Sequence, residues 1–395
     1  MTAGISHPLL RKRDGHHARV TYEELFFDLV YVYAVTQLSH ALLHHLTLTG
    51  LIETLILWFA VWLGWQYTCW ATNWFNPETP RIRGMMFGMM FAALVMASAI
   101  PEAFGDRGLI FALSYVAIQV GRTVYLAFEL RNDRALGPNY LRMSVWLLVS
   151  AGFWIAGAFA HHEMRIVLWL VAVLIEYFSP MIGFYVPGIS RSKTSDWTIE
   201  GGHLAERCQL FVIVALGETL LVSGATFASA DNWSAIEISA LLATFFGTLA
   251  MWWLYFGTSS KDASAVITAS DDPGRIGAQM HYVHVILLAG IIGTAVGNEL
   301  VLAEPHEAVK WGQALILTVG PAIYLFGSIL YKRVVYGAVP MTHLAGMVAL
   351  GLVLLLTQRV DLLTMTWITT GVMTAVGLAE LSSRVKLRPR TITRT

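Results

Sequence analysis

Charged residues are scarce in this chain, and their scarcity excludes most soluble folds. Lys, Arg, Asp and Glu together make up 13% of its 395 residues, whereas soluble domains carry about 25%. Hydrophobic residues make up 56%, and 14 residues are Trp, which favours the membrane–water boundary. Apolar stretches of about 20 residues, the length needed to cross a bilayer, recur along almost the whole chain. The composition therefore predicts an all-α polytopic membrane protein.

Several chemical signatures are also missing. The two cysteines, Cys69 and Cys208, lie in or beside apolar segments and form no ligand cluster. The sequence has no metal-binding His/Glu spacing, no serine-nucleophile motif and no phosphate-binding glycine loop. No short apolar core with a small-residue cleavage site follows the polar start, so we expect no cleavable signal peptide. We expect no enzyme activity, no catalytic residues, no cofactor, no metal site and no nucleic-acid partner.

Apolar runs bounded by charges or by Pro and Gly predict about twelve transmembrane helices. The two longest breaks, 188–202 and 259–277, are predicted to be loops. The predicted spans cover residues 22–44, 51–74, 84–100, 108–130, 140–160, 165–187, 204–225, 234–257, 278–302, 309–331, 338–357 and 362–383.

The distribution of basic residues predicts how these spans are oriented. Cytoplasmic loops of membrane proteins carry an excess of Lys and Arg. If the N-terminus is cytoplasmic, both tails and every second loop are rich in these residues, and Arg122 lies within a span. We therefore expect both termini in the cytoplasm. The opposite loops then hold few basic residues, namely Arg107, Arg165, Lys310 and Arg359.

The two halves of the chain resemble each other weakly. The stretch EELFFDLVYVYAVT (residues 23–36) aligns with ERCQLFVIVALGET (residues 206–219), and at the same offset Gly64 meets Gly247. These matches predict a six-plus-six internal repeat, and because six is an even number of spans, the halves would be parallel repeats. The chain is thus predicted to begin with a cytoplasmic tail (residues 1–20), followed by the first six-helix repeat (21–190) and a cytoplasmic linker (191–203). The second six-helix repeat (204–383) and a basic cytoplasmic tail (384–395) complete it.

Three carboxylates lie well away from the ends of the predicted spans, where a charge costs at least about 2.5–3.5 kcal/mol. Asp28 follows Glu24 by one turn on the same helix face, and neither Glu176 nor Glu218 is close to a span end. We therefore expect at least one of the three to face a polar cavity. The candidate cavity or ion-coupling residues are Asp28, Glu218, Glu176, Thr36 and Arg122.

Plainer explanations exist for several of these polar residues. Glu23, Glu24 and Glu206 stand in first helical turns, where acids favour the positive end of the helix dipole. Arg122 could snorkel to the cytoplasmic interface or pair with a buried acid. The candidate ion-pair partners of the buried acids are Glu24, Glu206 and Arg207.

Two stretches resemble a known family. YEELFFDLVYVYAVTQLSH (residues 22–40) and GHLAERCQLFVIVALGET (residues 202–219) are similar to the two signature stretches of the bacterial low temperature requirement A (LtrA) family. The likeness in length and hydropathy runs over about residues 15–385, although Tyr31 and Tyr33 stand where the family often has Phe. The resemblance implies a multi-pass protein of the bacterial inner membrane, embedded in the lipid bilayer, and it brings no catalytic residues.

Two functions fit these observations. The first is transport of a small solute or ion, in which Asp28, Glu218 and Glu176 line a cavity and change protonation as access alternates. The second is a non-transporting scaffold or sensor that supports growth at low temperature. In that case the acids form structural ion pairs, with Asp28 or Glu24 meeting Arg207 or Arg122. A small ion or solute and a second copy of the chain, in a homodimer, are the partners left open.

Overall fold

A computed structural model describes residues 7–13, 18–133, 136–193, 199–230, 232–257, 260–268 and 270–383. Within these residues the chain is helical and forms isolated β-bridges but no strand. The helices are α1 (Tyr22–His44), α2 (Leu48–Trp74), α3 (Pro80–Ala99), α4 (Gly108–Val116), α5 (Arg122–Glu129), α6 (Gly137–Phe159), α7 (His162–Met181), α8 (Gly201–Ala228), α9 (Ala235–Trp252), α10 (Ser260–Thr268), α11 (Pro273–Ala303), α12 (Trp311–Tyr336), α13 (Met341–Val353) and α14 (Leu362–Ser383).

Eleven helical segments of the described chain are long and apolar enough to cross a membrane. One of them, Gly108–Glu129, is made of α4 and α5 joined by a π-helical turn. The span predicted at residues 338–357 is a shorter apolar helix, Met341–Leu356. At 1.5 Å per residue it covers about 24 Å, less than the hydrocarbon core of about 30 Å. An all-α multi-pass membrane protein is confirmed, whereas a twelfth span, the internal repeat and the cytoplasmic termini stay predictions.

The break at residues 259–277, predicted as a loop, contains helix α10. That prediction was wrong because Ala263, Val266 and Ile267 are buried along one face of α10. Their spacing of three and four residues is the helical period. The polar residues around them hid this period, so the segment looked like a loop in the sequence.

The described helices form two compact units. The first unit holds most of the N-terminal half together with the start of α8 as far as Arg207, and the second begins at Cys208. The first unit comprises the described residues within Met1–Ala41, Leu51–Arg207 and Asp272–Arg275, and the second comprises the described residues within Leu42–Gly50, Cys208–Asp271 and Ile276–Thr395.

Aromatic side chains hold α4, α6 and α7 together in the first unit. Trp154 and Trp169 are fully buried, with ring centroids 5.3 Å apart, and Trp169 Nε1 donates to the Trp154 carbonyl at 2.9 Å. Phe111 of α4 packs 5.5 Å from the Trp169 ring. Aromatic pairs at such distances add about 0.5–1.5 kcal/mol each beyond their buried area. They fix the helices on which Glu176 and its partners lie.

In the second unit, glycines let α11 and α12 approach closely. A Cβ added at Gly290 would lie 2.4 Å from the Tyr324 backbone nitrogen, and one at Gly327 would lie 2.7 Å from Leu287 Cα. Small residues that allow such close backbone contact are typical of helix interfaces in membranes. Gly320 of α12 meets α11 in the same way, since a Cβ there would lie 2.9 Å from the Gly293 carbonyl carbon.

Candidate functional site

Glu24 and Asp28 of α1 share one buried arginine, Arg207 of α8. Arg207 Nη1 lies 3.0 Å from Glu24 Oε1, and Arg207 Nη2 donates to Asp28 Oδ1 at 2.6 Å. All three side chains are buried. The four-residue spacing of the two acids places both on one helix face, so a single guanidinium reaches them. The start of α8 is thereby tied to α1 by charge.

Two further side chains hold Glu24. Arg11, from the segment before α1, donates from Nη2 to Glu24 Oε2 at 2.8 Å, and His203 Nε2 lies 2.8 Å from Glu24 Oε1. The Asn73 amide donates to His203 Nδ1 at 3.1 Å, which assigns the ring proton to Nε2 and leaves the ring neutral. The two arginines therefore match two carboxylates in charge. We call Glu24, Asp28, Arg207, Arg11 and His203 the ion cluster.

Asp28 has fewer partners than Glu24. In addition to the bond from Arg207, Asp28 Oδ1 accepts a hydrogen bond from Trp65 Nε1 at 2.7 Å. Asp28 Oδ2 and the Tyr31 hydroxyl are buried and have no hydrogen-bond partner in the described part of the chain. A Cβ added at Gly64 would lie 2.7 Å from that hydroxyl, so only glycine leaves it room. Buried polar atoms without protein partners are uncommon in native proteins and point to a functional or hydrated position.

Glu176, in α7, is buried and held by neutral hydrogen-bond donors. Its Oε1 accepts from Ser150 Oγ at 2.7 Å and from Trp154 Nε1 at 2.9 Å. Its Oε2 accepts from the Tyr115 hydroxyl and from Gln119 Nε2 at 3.3 Å. Among the described residues, no Lys, Arg or His lies within ion-pair distance of this carboxylate. We call these five residues the Glu176 cage.

Arg122 follows a π-helical turn that contains Gln119. Arg122 Nη2 donates to Gln119 Oε1 at 2.6 Å, and Nη1 donates to Thr68 Oγ1 at 2.8 Å and to the Gly64 carbonyl at 3.3 Å. Arg122 is only 2% exposed, so it neither snorkels nor pairs directly with an acid within the described residues. Because Gln119 also donates to Glu176, one amide connects the buried cation to the buried carboxylate. Such π-helical turns are frequent at functional sites.

One face of α2 connects the ion cluster with Arg122. Trp65 donates to Asp28, and Thr68 accepts from Arg122. One turn further along, Thr72 Oγ1 accepts from Arg207 Nη1 at 3.4 Å. The ion cluster and Arg122 thus contact the same helix, α2, and Tyr31 lies beside Gly64 of α2. Gln119 joins Arg122 to the Glu176 cage, so that these polar groups form one set within the first unit. We call this set the polar track.

The other residues named from the sequence lie outside the track. Glu218 is buried but belongs to the second unit. Thr36 is half-buried, and its hydroxyl donates to the Val32 carbonyl at 3.2 Å. Glu206 is half-buried beside Arg207. In the part of the chain that the structure describes, no three His, Cys, Asp or Glu side chains are grouped to hold a metal ion.

Sequence reasoning missed the donors of the Glu176 cage and the role of Arg11. Tyr115 and Gln119, and likewise Ser150 and Trp154, are four residues apart and so share a helix face. Two such polar pairs inside apolar spans are a usable signal. Arg11 gave no comparable signal, because a basic residue in a polar tail is also explained by membrane orientation alone.

Comparison with known proteins gives matches over most of the chain. A family model described as "Bacterial low temperature requirement A protein (LtrA)" matches residues 19–378. An uncharacterized protein of Rhizobium meliloti (strain 1021) is 36% identical over 340 residues, which cover 85% of this chain and 83% of that protein. No solved structure gives a significant match. The two signature stretches and the family match lead to one conclusion: the chain belongs to the bacterial low temperature requirement A (LtrA) family.

Proposed function

We propose that this protein is an inner-membrane transporter that moves a small solute or ion together with protons, and that Glu176 is its proton-binding group. One observation carries the proposal: Glu176 is a fully buried carboxylate that has no cationic partner among the described residues. A charge at such a position is costly, and intramembrane acids are typically parts of substrate or proton pathways. Because Glu176 makes no direct ion pair among the described residues, its charge can change without breaking one.

The Ser150 hydroxyl supports this role because it has two hydrogen-bond acceptors within reach. It lies 2.7 Å from Glu176 Oε1 and 3.0 Å from the Leu147 carbonyl. When Glu176 is ionised, the hydroxyl donates to the carboxylate. When Oε1 is protonated, the hydroxyl can turn, donate to Leu147 and accept the new proton. Proton binding then requires only the rotation of one hydroxyl.

Asp28 has a different role in this proposal. Its carboxylate is neutralised by Arg207, and protonating it would leave the buried guanidinium with less compensation. We therefore assign Asp28 and Glu24 to holding α1 and α8, and Glu176 to proton exchange. Glu218, in the second unit, stays a candidate coupling residue on the strength of its burial alone.

Proton flux in proteoliposomes tests the proposal. Vesicles containing a pH-sensitive dye receive a pH jump at clamped membrane potential, with and without Na+, K+ and small organic solutes outside. We expect flux above that of empty vesicles in the wild type, and loss of that flux in Glu176→Gln. Ser150→Ala is expected to slow it, because it keeps three donors to the carboxylate but removes the acceptor for its proton.

Two controls make the result interpretable. Glu23→Gln neutralises an acid whose partner Arg83 is 41% exposed, and it is expected to leave the flux unchanged. Ser144→Ala removes another buried α6 hydroxyl, which donates to the Tyr140 carbonyl and does not contact Glu176. Wild-type flux in Glu176→Gln would refute proton exchange at this carboxylate.

The ion cluster favours a second candidate, a non-transporting scaffold or sensor. Its two arginines match Glu24 and Asp28 in charge, as a purely structural network would require. In that case growth at low temperature would be lost in Arg207→Met, which breaks the network. It would be retained in Glu176→Gln, provided that this variant inserts. Loss of growth in both variants, with both inserted, would favour transport.

A further inference from the structure

A small cavity in the second unit is lined by threonines and one asparagine. It lies among α9, α11, α12 and α14. Its volume is about 20 Å³, which accommodates one water-sized occupant, since a water requires roughly 10–15 Å³. An organic solute does not fit. The polar residues that line it are all uncharged, namely Thr294, Asn298, Thr366, Thr369 and Thr370.

The hydroxyl protons of the four threonines that line this cavity are used in hydrogen bonds to backbone carbonyls. Thr294 and Thr366 each donate their proton at 2.8 Å to the backbone carbonyl four residues earlier. Thr369 and Thr370 also donate to backbone carbonyls, each at 3.0 Å. A hydroxyl has one proton and two acceptor lone pairs. All four oxygens therefore remain available as acceptors after these bonds are made.

Two further groups add to the acceptors. Pro321 and Leu317 both line the cavity, and Pro321 has no N–H to donate to the Leu317 carbonyl, so that oxygen lacks its usual helical donor. Asn298 is 5% exposed, and its Nδ2 has no hydrogen-bond partner within the described residues. A half-turn of the amide puts Oδ1 in the place of Nδ2, and the surrounding hydrogen bonds or ligand decide which end faces the cavity.

We propose that this cavity binds one dehydrated monovalent cation, Na+ or K+. A water molecule donates only two hydrogen bonds, which would leave at least two of the four hydroxyl oxygens without a donor. An alkali cation takes several oxygen ligands at once, and oxygen dipoles without a carboxylate bind alkali cations in membrane proteins. The proposal goes beyond the transport reaction above, because no residue of the polar track lines the cavity.

Thermal stability at constant ionic strength tests this site without any transport measurement. Purified wild-type protein in detergent is melted while choline chloride is replaced stepwise by NaCl or by KCl. A ligand that binds only the folded state raises the melting temperature as its concentration rises, so we expect the wild type to gain stability in NaCl or KCl. In Thr366→Val and Thr370→Val, which each lose one ligand oxygen, the response should require about tenfold more cation or more.

Thr318→Val is the matched control. Thr318 is buried in the same unit and donates to the Ala314 carbonyl at 2.7 Å, but it does not line the cavity. Gly247→Ala is a second probe that removes no ligand atom. Its Cβ would lie 3.0 Å from Thr370 Oγ1 and narrow the cavity, so the cation response should weaken there too.

Three results would overturn the proposal. Equal melting temperatures in choline, Na+ and K+ would show that the cavity holds water only. A cation response that persists unchanged in Thr366→Val, Thr370→Val and Gly247→Ala would place the ion elsewhere. A response lost equally in Thr318→Val would show that it depends on general packing. If the valine variants do not fold, Gly247→Ala decides the question.

Discussion

Replacing Arg207 by Met is the sharpest test of the ion cluster. The side chain of Met keeps much of the aliphatic length of Arg but removes the guanidinium that reaches both Glu24 and Asp28. Glu24 would keep Arg11 and His203, whereas Asp28 would keep only the Trp65 indole. The cluster would then carry one uncompensated negative charge, located at Asp28.

The size of the expected loss follows from burial. Removing one partner of a buried ion pair costs about 3–5 kcal/mol, because the other charge stays buried without compensation. Arg207 has no exposed side-chain surface, so little of this interaction is screened by solvent. Arg83 forms an ion pair of similar length with Glu23, at 2.7 Å, but Arg83 is 41% exposed. Arg83→Met should therefore cost less than about 1 kcal/mol, the usual range for surface pairs.

A double substitution separates charge from packing. Asp28→Asn removes the stranded charge, so Asp28→Asn/Arg207→Met should be more stable than Arg207→Met alone by about 1–3 kcal/mol, a typical coupling energy for contacting residues. Equilibrium unfolding of the purified variants in mixed micelles measures the free energies of unfolding. The reasoning is refuted if Arg207→Met costs no more than Arg83→Met. It is also refuted if Asp28→Asn adds to the loss caused by Arg207→Met instead of offsetting part of it.

The remaining predictions concern packing, the cage and the N-terminal segment. Gly290→Ala should destabilise the protein by about 1–3 kcal/mol, because the added methyl group overpacks α11 against α12. The Cβ added by Gly371→Ala has no neighbour within 4 Å, so this variant should be neutral or more stable by up to about 1 kcal/mol. Equilibrium unfolding compares the free energies of unfolding of the two variants. Glu176→Gln should lower the free energy of unfolding by about 1–3 kcal/mol, because its new N–H₂ group must face another donor, either the Trp154 indole or the Gln119 amide. An unchanged free energy of unfolding would contradict the geometry in which four donors surround Glu176. Arg11→Ala should speed hydrogen exchange at the Asn76 amide, which donates to the Leu9 carbonyl at 2.9 Å; unchanged exchange would show that Arg11 does not hold this segment.

The sequence was sufficient to predict the membrane class and most of the spans, because hydropathy over a 20-residue window is a local property. It also indicated that Asp28, one turn inside α1, needs a partner, and it named Arg207 among the candidates. The sequence could not choose between Arg207 and Arg122 for that role. The choice depends on where α8 and α5 lie relative to α1, which is tertiary information.

The sequence analysis did not single out the donors of the Glu176 cage, for a related reason. Its donors come from the segment Gly108–Glu129 and from α6, and each donor taken alone is an ordinary polar residue in an apolar helix. No charged partner contacts Glu176 within the described residues, and the apolar helices hold too many Ser, Tyr and Trp residues for its neutral partners to be chosen from the sequence. The π-helical turn at Ala117–Gly121, which places Gln119 next to Arg122, leaves no recognisable mark in the sequence.

The first unit thus stabilises its buried acids in two different ways, and the difference separates structure from function. Asp28 is balanced by a cation, so any change in its protonation leaves a charge uncompensated and destabilises the fold. Glu176 is surrounded by donors of which one, the Ser150 hydroxyl, can turn towards the Leu147 carbonyl. We therefore expect a change in the protonation of Glu176 to break no direct ion pair and to rotate one hydroxyl. Substitutions at Arg207 should act mainly on stability, and substitutions at Ser150 mainly on proton exchange. A variant of Ser150 that unfolds the protein but leaves the proton flux of the folded fraction intact would reverse this assignment.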